Sequence, residues 1–163
     1  MKNSIEVINL SKSYKKKEAV KDISFKVQEN EIIGLLGPNG CGKTTTIAMI
    51  LGLLKPSRGD VLINGLKIEE NPIEILQKIN FISPYIELPK KLTVKQNLIV
   101  YGKLYSVKNL NEKIDYLVSK LRLENLLNRV TGELSSGQKN RISLAKAIIN
   151  DPNLLLLDEP TAS

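Results

Sequence analysis

The chain has 163 residues, of which 42% are hydrophobic and 4% aromatic, and its formal net charge is +7. This length supports one sizeable core, or one core with a small lobe. The sequence has no run of 18 apolar residues that could cross a membrane, its single cysteine excludes an intrachain disulfide, and its few aromatic residues argue against a base-stacking platform for nucleic acid.

The first third of the chain predicts strands. Residues 4–10 are typical of a strand, and residues 20–27 alternate between apolar and polar side chains, which indicates a half-exposed antiparallel strand. Tyr14 is expected in the lysine-rich loop between them, which is either a solvated turn or a surface that attracts nucleotide, anionic lipid or nucleic acid. The apolar run 32–36 predicts a buried strand.

A glycine-rich loop follows this run and precedes apolar residues at helical spacing. It matches the pattern G-x-x-x-x-G-K-[ST], whose backbone N–H groups cradle phosphates at a helix N-terminus. Here Lys43 can reach the β and γ phosphates, and the Thr44 hydroxyl can bind Mg²⁺. The predicted ATP-binding residues of the loop are Gly37, Asn39, Gly40, Cys41, Gly42, Lys43, Thr44 and Thr45.

The middle of the chain changes from strands to helices. Residues 59–64 and 79–82 predict two further strands, and residues 72–77 a short helix. Residues 83–150 are expected to be mainly helical, with capping boxes at 93–96 and 135–138. The second box opens a helix with small residues, which makes it either an ordinary cap or another site that faces an anion.

Near the end of the sequence, an apolar run at 154–157 is followed directly by Asp158 and Glu159. Its length suits a buried parallel strand. A carboxylate at the end of such a strand, facing a phosphate loop, is placed to hold Mg²⁺, and Glu159 can orient or deprotonate a water. The alternative is an ordinary turn that ends a strand.

These motifs, in this order, resemble those of the ATP-binding subunits of ABC transporters. Residues 37–45 match the family's phosphate loop, residues 154–159 its Mg²⁺-site strand, and residues 134–138 its signature motif, with Ser136 where glycine is usual. The resemblance runs from Ile5 to Ser163. It implies an α/β fold: a P-loop NTPase core with an N-terminal antiparallel β part and an inserted helical lobe, and with the C-terminal part of the family's domain missing. The implied divisions are 1–82 for the core, 83–150 for the lobe and 151–163 for the returning strand.

The resemblance also implies roles. Tyr14 would stack on adenine, Glu159 and Lys43 would be catalytic, and Thr44 and Asp158 would hold Mg²⁺. Two subunits would dimerise head to tail, so that the signature motif contacts ATP bound by the partner chain. The lobe would dock on membrane-spanning subunits at the cytoplasmic side of the membrane, with no nucleic acid involved, and residues 88–105 resemble members that serve bacterial exporters. The predicted signature contacts are Ser135, Ser136, Gly137 and Gln138.

The sequence departs from the family in two places. Pro84 stands where a glutamine normally contacts Mg²⁺ and the attacking water, and the chain contains no histidine although the family uses one to contact the γ-phosphate. Either a longer protein continues past residue 163 or the chain is naturally short, and the 163-residue chain alone is expected to be marginally stable. Two alternatives stay open: a module that binds ATP without hydrolysis, and a soluble ABC-type ATPase of DNA repair or translation.

Overall fold

The computed structural model of the chain describes residues 3–15, 17–83 and 87–158. The chain divides into two compact units, one ending at Leu76 and the other beginning at Gln77. Within the described ranges, no helix has the length and apolar character needed to cross a membrane.

An antiparallel sheet dominates the first unit. It contains β1 (Asn3–Tyr14), β2 (Lys17–Gln28), β3 (Arg58–Ile63) and β4 (Leu66–Lys67), in the order β2-β1-β3-β4. Ile5 lies opposite both Val27 and Ile63, so alternate residues of the three longer strands bury one face of the sheet. The predicted strands at 4–10, 20–27 and 59–64 are therefore confirmed, with β1 and β2 longer than expected.

Local sequence explains the connections in this unit. Asn64 and Gly65 both have positive φ, 51° and 80°, as the two-residue turn between β3 and β4 requires. The helix α1 (Lys43–Ile50) follows the glycine-rich loop, and the short helix α2 (Pro72–Leu76) begins with proline, whose missing N–H costs nothing at a helix start.

The apolar run 32–36 does not form the predicted buried strand, and that prediction is wrong for this structure. Residues 31–38 have no regular secondary structure, and Ile32 and Leu36 are 99% and 91% exposed. A buried strand needs neighbours that satisfy its N–H and C=O groups and cover its side chains. Within residues 3–15, 17–83 and 87–158, no strand pairs with this run.

The second unit combines a small parallel sheet with a helical core. The strands β5 (Ile79–Ile82) and β6 (Leu154–Leu157) pair in parallel, with Ile79 opposite Leu154. The parallel pairing of 154–157 confirms the prediction, but the strand is half-buried rather than buried, and Leu157 is exposed. The reason is the same as for residues 32–36: β6 has one described neighbour, so its other edge is not covered.

In the described part of the chain, three helices follow β5 and precede β6 in sequence: α3 (Val94–Leu104), α4 (Leu110–Leu121) and α5 (Ser136–Ala147). Short 3₁₀ turns at Glu124–Leu126 and Thr131–Glu133 connect α4 to α5. The three helices share one apolar core, because each of them has one apolar face. Its most deeply buried members are Val94, Leu98, Leu117, Leu123, Ile142, Ala145 and Ile149.

Candidate functional site

The glycine-rich loop of the first unit ends at the start of α1. Gly42 is the N-cap residue, with φ of 100°, and it makes no side-chain hydrogen bond to the helix. The positive end of the α1 dipole is therefore presented to the loop without a competing side-chain cap. This is the local geometry that an anion-binding helix N-terminus requires.

Two glycines of the loop serve different purposes. A Cβ on Gly42 would lie 2.4 Å from the carbonyl oxygen of Ala19 and 2.9 Å from Cγ2 of Val20, so only glycine allows the loop to pack against β2. A Cβ on Gly40, whose φ is 80°, would meet no atom within 4 Å. Gly40 is thus required by backbone conformation alone, whereas Gly42 is also required by close approach.

The Lys43 side chain curls back over the loop. Its Nζ donates to the carbonyl oxygens of Gly37 at 2.8 Å and Pro38 at 3.0 Å. The ammonium group is therefore held within the loop that precedes its own helix. A phosphate bound at the helix N-terminus would meet this charge directly, as expected for the lysine of this motif.

The remaining residues of the loop are accessible. Asn39, Cys41 and Thr44 are exposed and Thr45 is half-buried. The Cys41 N–H donates to the Pro38 carbonyl oxygen at 3.2 Å, which closes a tight turn inside the loop. The exposed Thr44 hydroxyl is in the first turn of α1, where a metal bound to a phosphate would be reached.

Tyr14 also belongs to the first unit, but it is not in a loop as predicted. It is the last residue of β1, because the β1–β2 pairing continues as far as Tyr14 opposite Lys17. Its side chain is 50% exposed, and the Lys12 Nζ lies 5.4 Å from the ring centroid. An exposed ring with a cation near it is suited to stacking on a flat, electron-rich base.

Asp158 follows β6 in the second unit. It is 5% exposed, and its N–H donates to the Ile82 carbonyl oxygen at 2.9 Å, which extends the β5–β6 pairing by one bond. A buried carboxylate at the end of a parallel strand matches the position predicted for the Mg²⁺ ligand. Glu159 and Pro84, which carry two of the predictions, lie outside the described residues.

The signature-like motif opens α5 as a complete capping box. The Ser135 Oγ accepts from the Gln138 N–H at 3.3 Å, and the Gln138 Oε1 accepts from the Ser135 N–H at 3.0 Å. Ser135, Ser136 and Gly137 are exposed, whereas the preceding Leu134 is buried in the helical core. The buried Leu134 thus fixes the start of the motif to the helical core, while the three residues that follow it are accessible to a ligand.

The donors available for a metal are consistent with Mg²⁺. This ion prefers oxygen ligands and is usually held by one or two protein groups together with substrate phosphates and water. The hydroxyl of Thr44 in the first unit and the carboxylate of Asp158 in the second are each a group of this kind. Among the described residues, no group of three or more histidine, cysteine, aspartate or glutamate side chains is placed to hold a metal ion.

The sequence reasoning missed Lys146, a buried cation on α5. Lys146 is 8% exposed, and its Nζ lies 5.4 Å from the Phe81 ring centroid and 5.2 Å from that of Tyr101. It donates to the Asn80 Oδ1 at 3.3 Å, and burial lowers its pKa below the ordinary lysine value. Its place in the stripe of Ile142, Ala145 and Ile149 was the available signal.

Comparison with known proteins agrees with this geometry. The family profile described as ABC transporter matches residues 20–162. The chain belongs to the ABC transporter family. Its fold is that of the family's α/β P-loop ATPase domains, since it superposes with a TM-score of 0.88 and 30% identity on a solved "ATP binding subunit of ABC transporter", over 96% of this chain and 66% of that one. A putative ABC transporter ATP-binding protein from Pyrococcus furiosus gives a TM-score of 0.84 at 30% identity, over 98% and 76%.

Curated relatives include export proteins. The chain is 42% identical over 161 residues to the Nod factor export ATP-binding protein I of Rhizobium johnstonii, covering 97% of this chain and 51% of that protein. It is 40% identical over 159 residues to the SkfA peptide export ATP-binding protein SkfE of Bacillus subtilis, covering 96% and 66%. The chain therefore spans about half the length of the first of these relatives.

Proposed function

We propose that this chain is part of a subunit that binds and hydrolyses ATP to power the export of a substrate across a membrane by an ABC transporter. The observation that carries the proposal is the phosphate loop at the start of α1, with the Lys43 ammonium held 2.8 Å from the Gly37 carbonyl oxygen. The family match and the names of the two export relatives support the transport role.

The loop would bind the triphosphate. The backbone N–H groups at the start of α1 and the Lys43 ammonium would stabilise the negative charge on the β and γ phosphates. Tyr14 would stack on the adenine ring. Mg²⁺, held by Thr44 and Asp158, would supply charge neutralisation at the phosphate oxygens.

Hydrolysis needs a group that positions the attacking water. Glu159 directly follows the proposed metal ligand in sequence, and a carboxylate there can accept the proton of that water. The exposed Ser135, Ser136 and Gly137 and the half-buried Gln138 at the start of α5 would contact the γ-phosphate of ATP on a partner subunit. A head-to-tail dimer would in this way complete each site.

The subunit would work at the cytoplasmic side of the membrane, bound to membrane-spanning subunits. The exposed side of α3 offers Val100 and Leu104, which are 41% and 72% exposed, as apolar contacts. The names of the two relatives mention Nod factor and a peptide as exported cargo, and the export role proposed here rests on those names. The substrate itself would contact other subunits.

Glu159→Gln in the full-length protein tests the proposal. Loss of a general base typically lowers the rate about 10²- to 10⁴-fold. We therefore expect ATP affinity close to that of the unmutated protein with almost no turnover, measured by nucleotide titration and by phosphate release. Hydrolysis within a factor of a few of the parent would remove Glu159 from this role.

A parent protein that binds ATP and releases no phosphate would instead favour the non-hydrolysing module. The observation on its side is Pro84 at the expected glutamine position. Lys43→Ala is the matched control, because it should abolish binding under either hypothesis.

A further inference from the structure

The side-chain amide nitrogen of Asn97 on α3 lies within hydrogen-bond distance of several acceptors, which share its two N–H groups. Its Nδ2 lies 2.8 Å from the Thr131 Oγ1 and 3.2 Å from the carbonyl oxygens of both Pro89 and Thr93. The residue is 1% exposed. One buried amide therefore joins the segment before α3 to the 3₁₀ turn that precedes α5.

The Thr131 hydroxyl takes part in two hydrogen bonds. Its hydroxyl accepts from Asn97 and donates to the Leu92 carbonyl oxygen at 3.0 Å, and its side chain is as buried as that of Asn97. Since a hydroxyl that both donates and accepts is polarised by each bond, the chain Asn97–Thr131–Leu92 is stronger than two separate bonds.

Backbone bonds reinforce the same junction. The Val94 N–H donates to the Arg129 carbonyl oxygen, the Thr131 N–H to Leu92 at 2.9 Å, and the Gly132 N–H to Lys90 at 3.0 Å. Thr93 and Val130 form an isolated antiparallel bridge. Several hydrogen bonds thus join residues 90–95 to residues 127–132, although Leu92 and Thr131, for example, are 39 positions apart in sequence.

The Asn97 side chain contains one buried polar atom whose burial lowers the stability of the protein. Its Oδ1 is buried, and within residues 3–15, 17–83 and 87–158 it has no hydrogen-bond partner. A buried acceptor without a partner is destabilising. An apolar residue of similar size would avoid this cost, so the function of the side chain lies in its Nδ2 group and in what that group holds.

The held segment leads directly into the signature motif. The Leu134 N–H donates to the Thr131 carbonyl oxygen at 3.4 Å, and Ser135, the next residue, caps α5. On the other side of the junction, residues 87–93 follow the segment that contains Pro84. The position of Ser135 is therefore tied to that of residues 87–93 through Asn97 and Thr131.

We propose that Asn97 and Thr131 are positioning residues that fix the signature motif for contact with ATP on the partner subunit. This inference rests on the proposed function, in which Ser135, Ser136 and Gly137 face the partner's ATP. Asn97 and Thr131 act through the signature motif and do not themselves touch nucleotide.

The test uses the full-length subunit with Glu159→Gln, so that ATP binds and is not consumed. Thr131→Val keeps the shape of the side chain and removes the hydroxyl, whereas Thr131→Ser keeps the hydroxyl. Ile114→Val, in the buried core of the same lobe and outside the junction, is the control for a general loss of stability. Thr131→Ala replaces Thr131→Val if the valine variant does not fold.

Two quantities are measured: ATP affinity of the monomer, and the protein concentration at which ATP drives dimerisation, by sedimentation. We expect Thr131→Val to leave monomer affinity unchanged and to weaken dimerisation about tenfold, the effect of losing one or two buried hydrogen bonds. Thr131→Ser and Ile114→Val should stay within about twofold of the parent by the same reasoning.

Equal dimerisation by Thr131→Val and Ile114→Val would overturn the positioning role. A different failure would be a parent that binds ATP and does not dimerise. That result would refute the head-to-tail dimer of the proposed function, and with it this inference. The two failures can be distinguished, because the absence of a dimer is seen in the parent protein itself, whereas the failure of the positioning role is seen only when the Thr131 variants are compared with it.

Discussion

At the scale of single residues, Gly42 and Gly40 offer a matched pair within one loop. Both have positive φ, so alanine is strained at either position. Only at Gly42 would the added Cβ also lie 2.4 Å from backbone, the Ala19 carbonyl oxygen. We expect Gly42→Ala to lower ATP affinity at least tenfold more than Gly40→Ala, since close backbone contacts cannot relax by rotamer change.

Nucleotide titration of the two variants in the full-length protein checks this expectation. Circular dichroism of each variant shows whether the fold is retained. Equal losses of affinity at the two positions would mean that backbone strain alone decides the conformation of the loop, and that its packing on β2 contributes little.

Lys146 gives a prediction about pH. Burial lowers its pKa, so the folded state releases this proton at a lower pH than the unfolded chain, whose lysines titrate near 10.4. Between those two pKa values the unfolded state binds more protons, and the free energy of unfolding therefore rises with pH. Lys146→Met should remove this rise.

The measurement is urea unfolding of the full-length protein at several pH values from 7 to 10. Lys95→Met, an exposed position on α3, is the control and should retain the pH dependence of the parent. Profiles are kept below pH 10 because burial raises the pKa of Tyr105, whose contribution to stability has the opposite slope above that pH in both proteins. Parallel pH profiles for parent and Lys146→Met would contradict the prediction.

At the scale of elements, two capping boxes of the same kind open α3 and α5. Thr93 and Ser135 each accept from a backbone N–H three residues on. Loss of either hydroxyl costs roughly 1 kcal/mol of stability, equivalent to about 2–4 °C in Tm for a domain of this size. Thr93→Ala and Ser135→Ala should therefore lower Tm by similar amounts.

Only one of the two caps belongs to the proposed site. We expect Ser135→Ala to weaken ATP-driven dimerisation of the full-length Glu159→Gln protein more than Thr93→Ala does. Calorimetry and sedimentation of the same samples give both values. If the two variants weakened dimerisation equally, the Ser135 hydroxyl would be acting as a cap alone.

Elements whose signals are local could be predicted from the sequence. The alternation of residues 20–27 and both capping boxes depend on side chains within a few positions of one another, and the structure confirms them. The run 32–36 was predicted incorrectly, because an apolar run indicates that a segment would be stable as a buried strand only if other strands pair with it. Whether such strands are present depends on the fold and cannot be seen in the run itself.

The candidate site shows the same division. The residues of the phosphate loop are contiguous, so their spacing alone predicts a phosphate cradle. By contrast, Asn97 and Thr131 meet across 34 positions, and Lys146 and Asn80 across 66. The apolar face of α5 marks Lys146 as a residue of the buried side, but no local pattern identifies the distant partner in either pair, which only the packing of the helices brings close.

At the scale of the whole molecule, the apolar run 32–36 determines how the 163-residue polypeptide would behave by itself. Ile32 and Leu36 are almost fully exposed and lie close together in sequence, beside the half-exposed Ile33 and Leu35. Exposed apolar segments of this kind promote association. We expect the isolated polypeptide to self-associate and to melt with low cooperativity near room temperature.

A double variant, Ile32→Lys with Leu36→Lys, should reduce self-association because it places like charges on the exposed run. Leu104→Lys removes one exposed apolar side chain elsewhere and serves as the control. Light scattering and a thermal melt of the three polypeptides measure the effect. A monomeric parent with a cooperative transition well above room temperature would show that residues 32–36 find internal cover in solution, and the double variant would then destabilise the fold instead of improving its solubility.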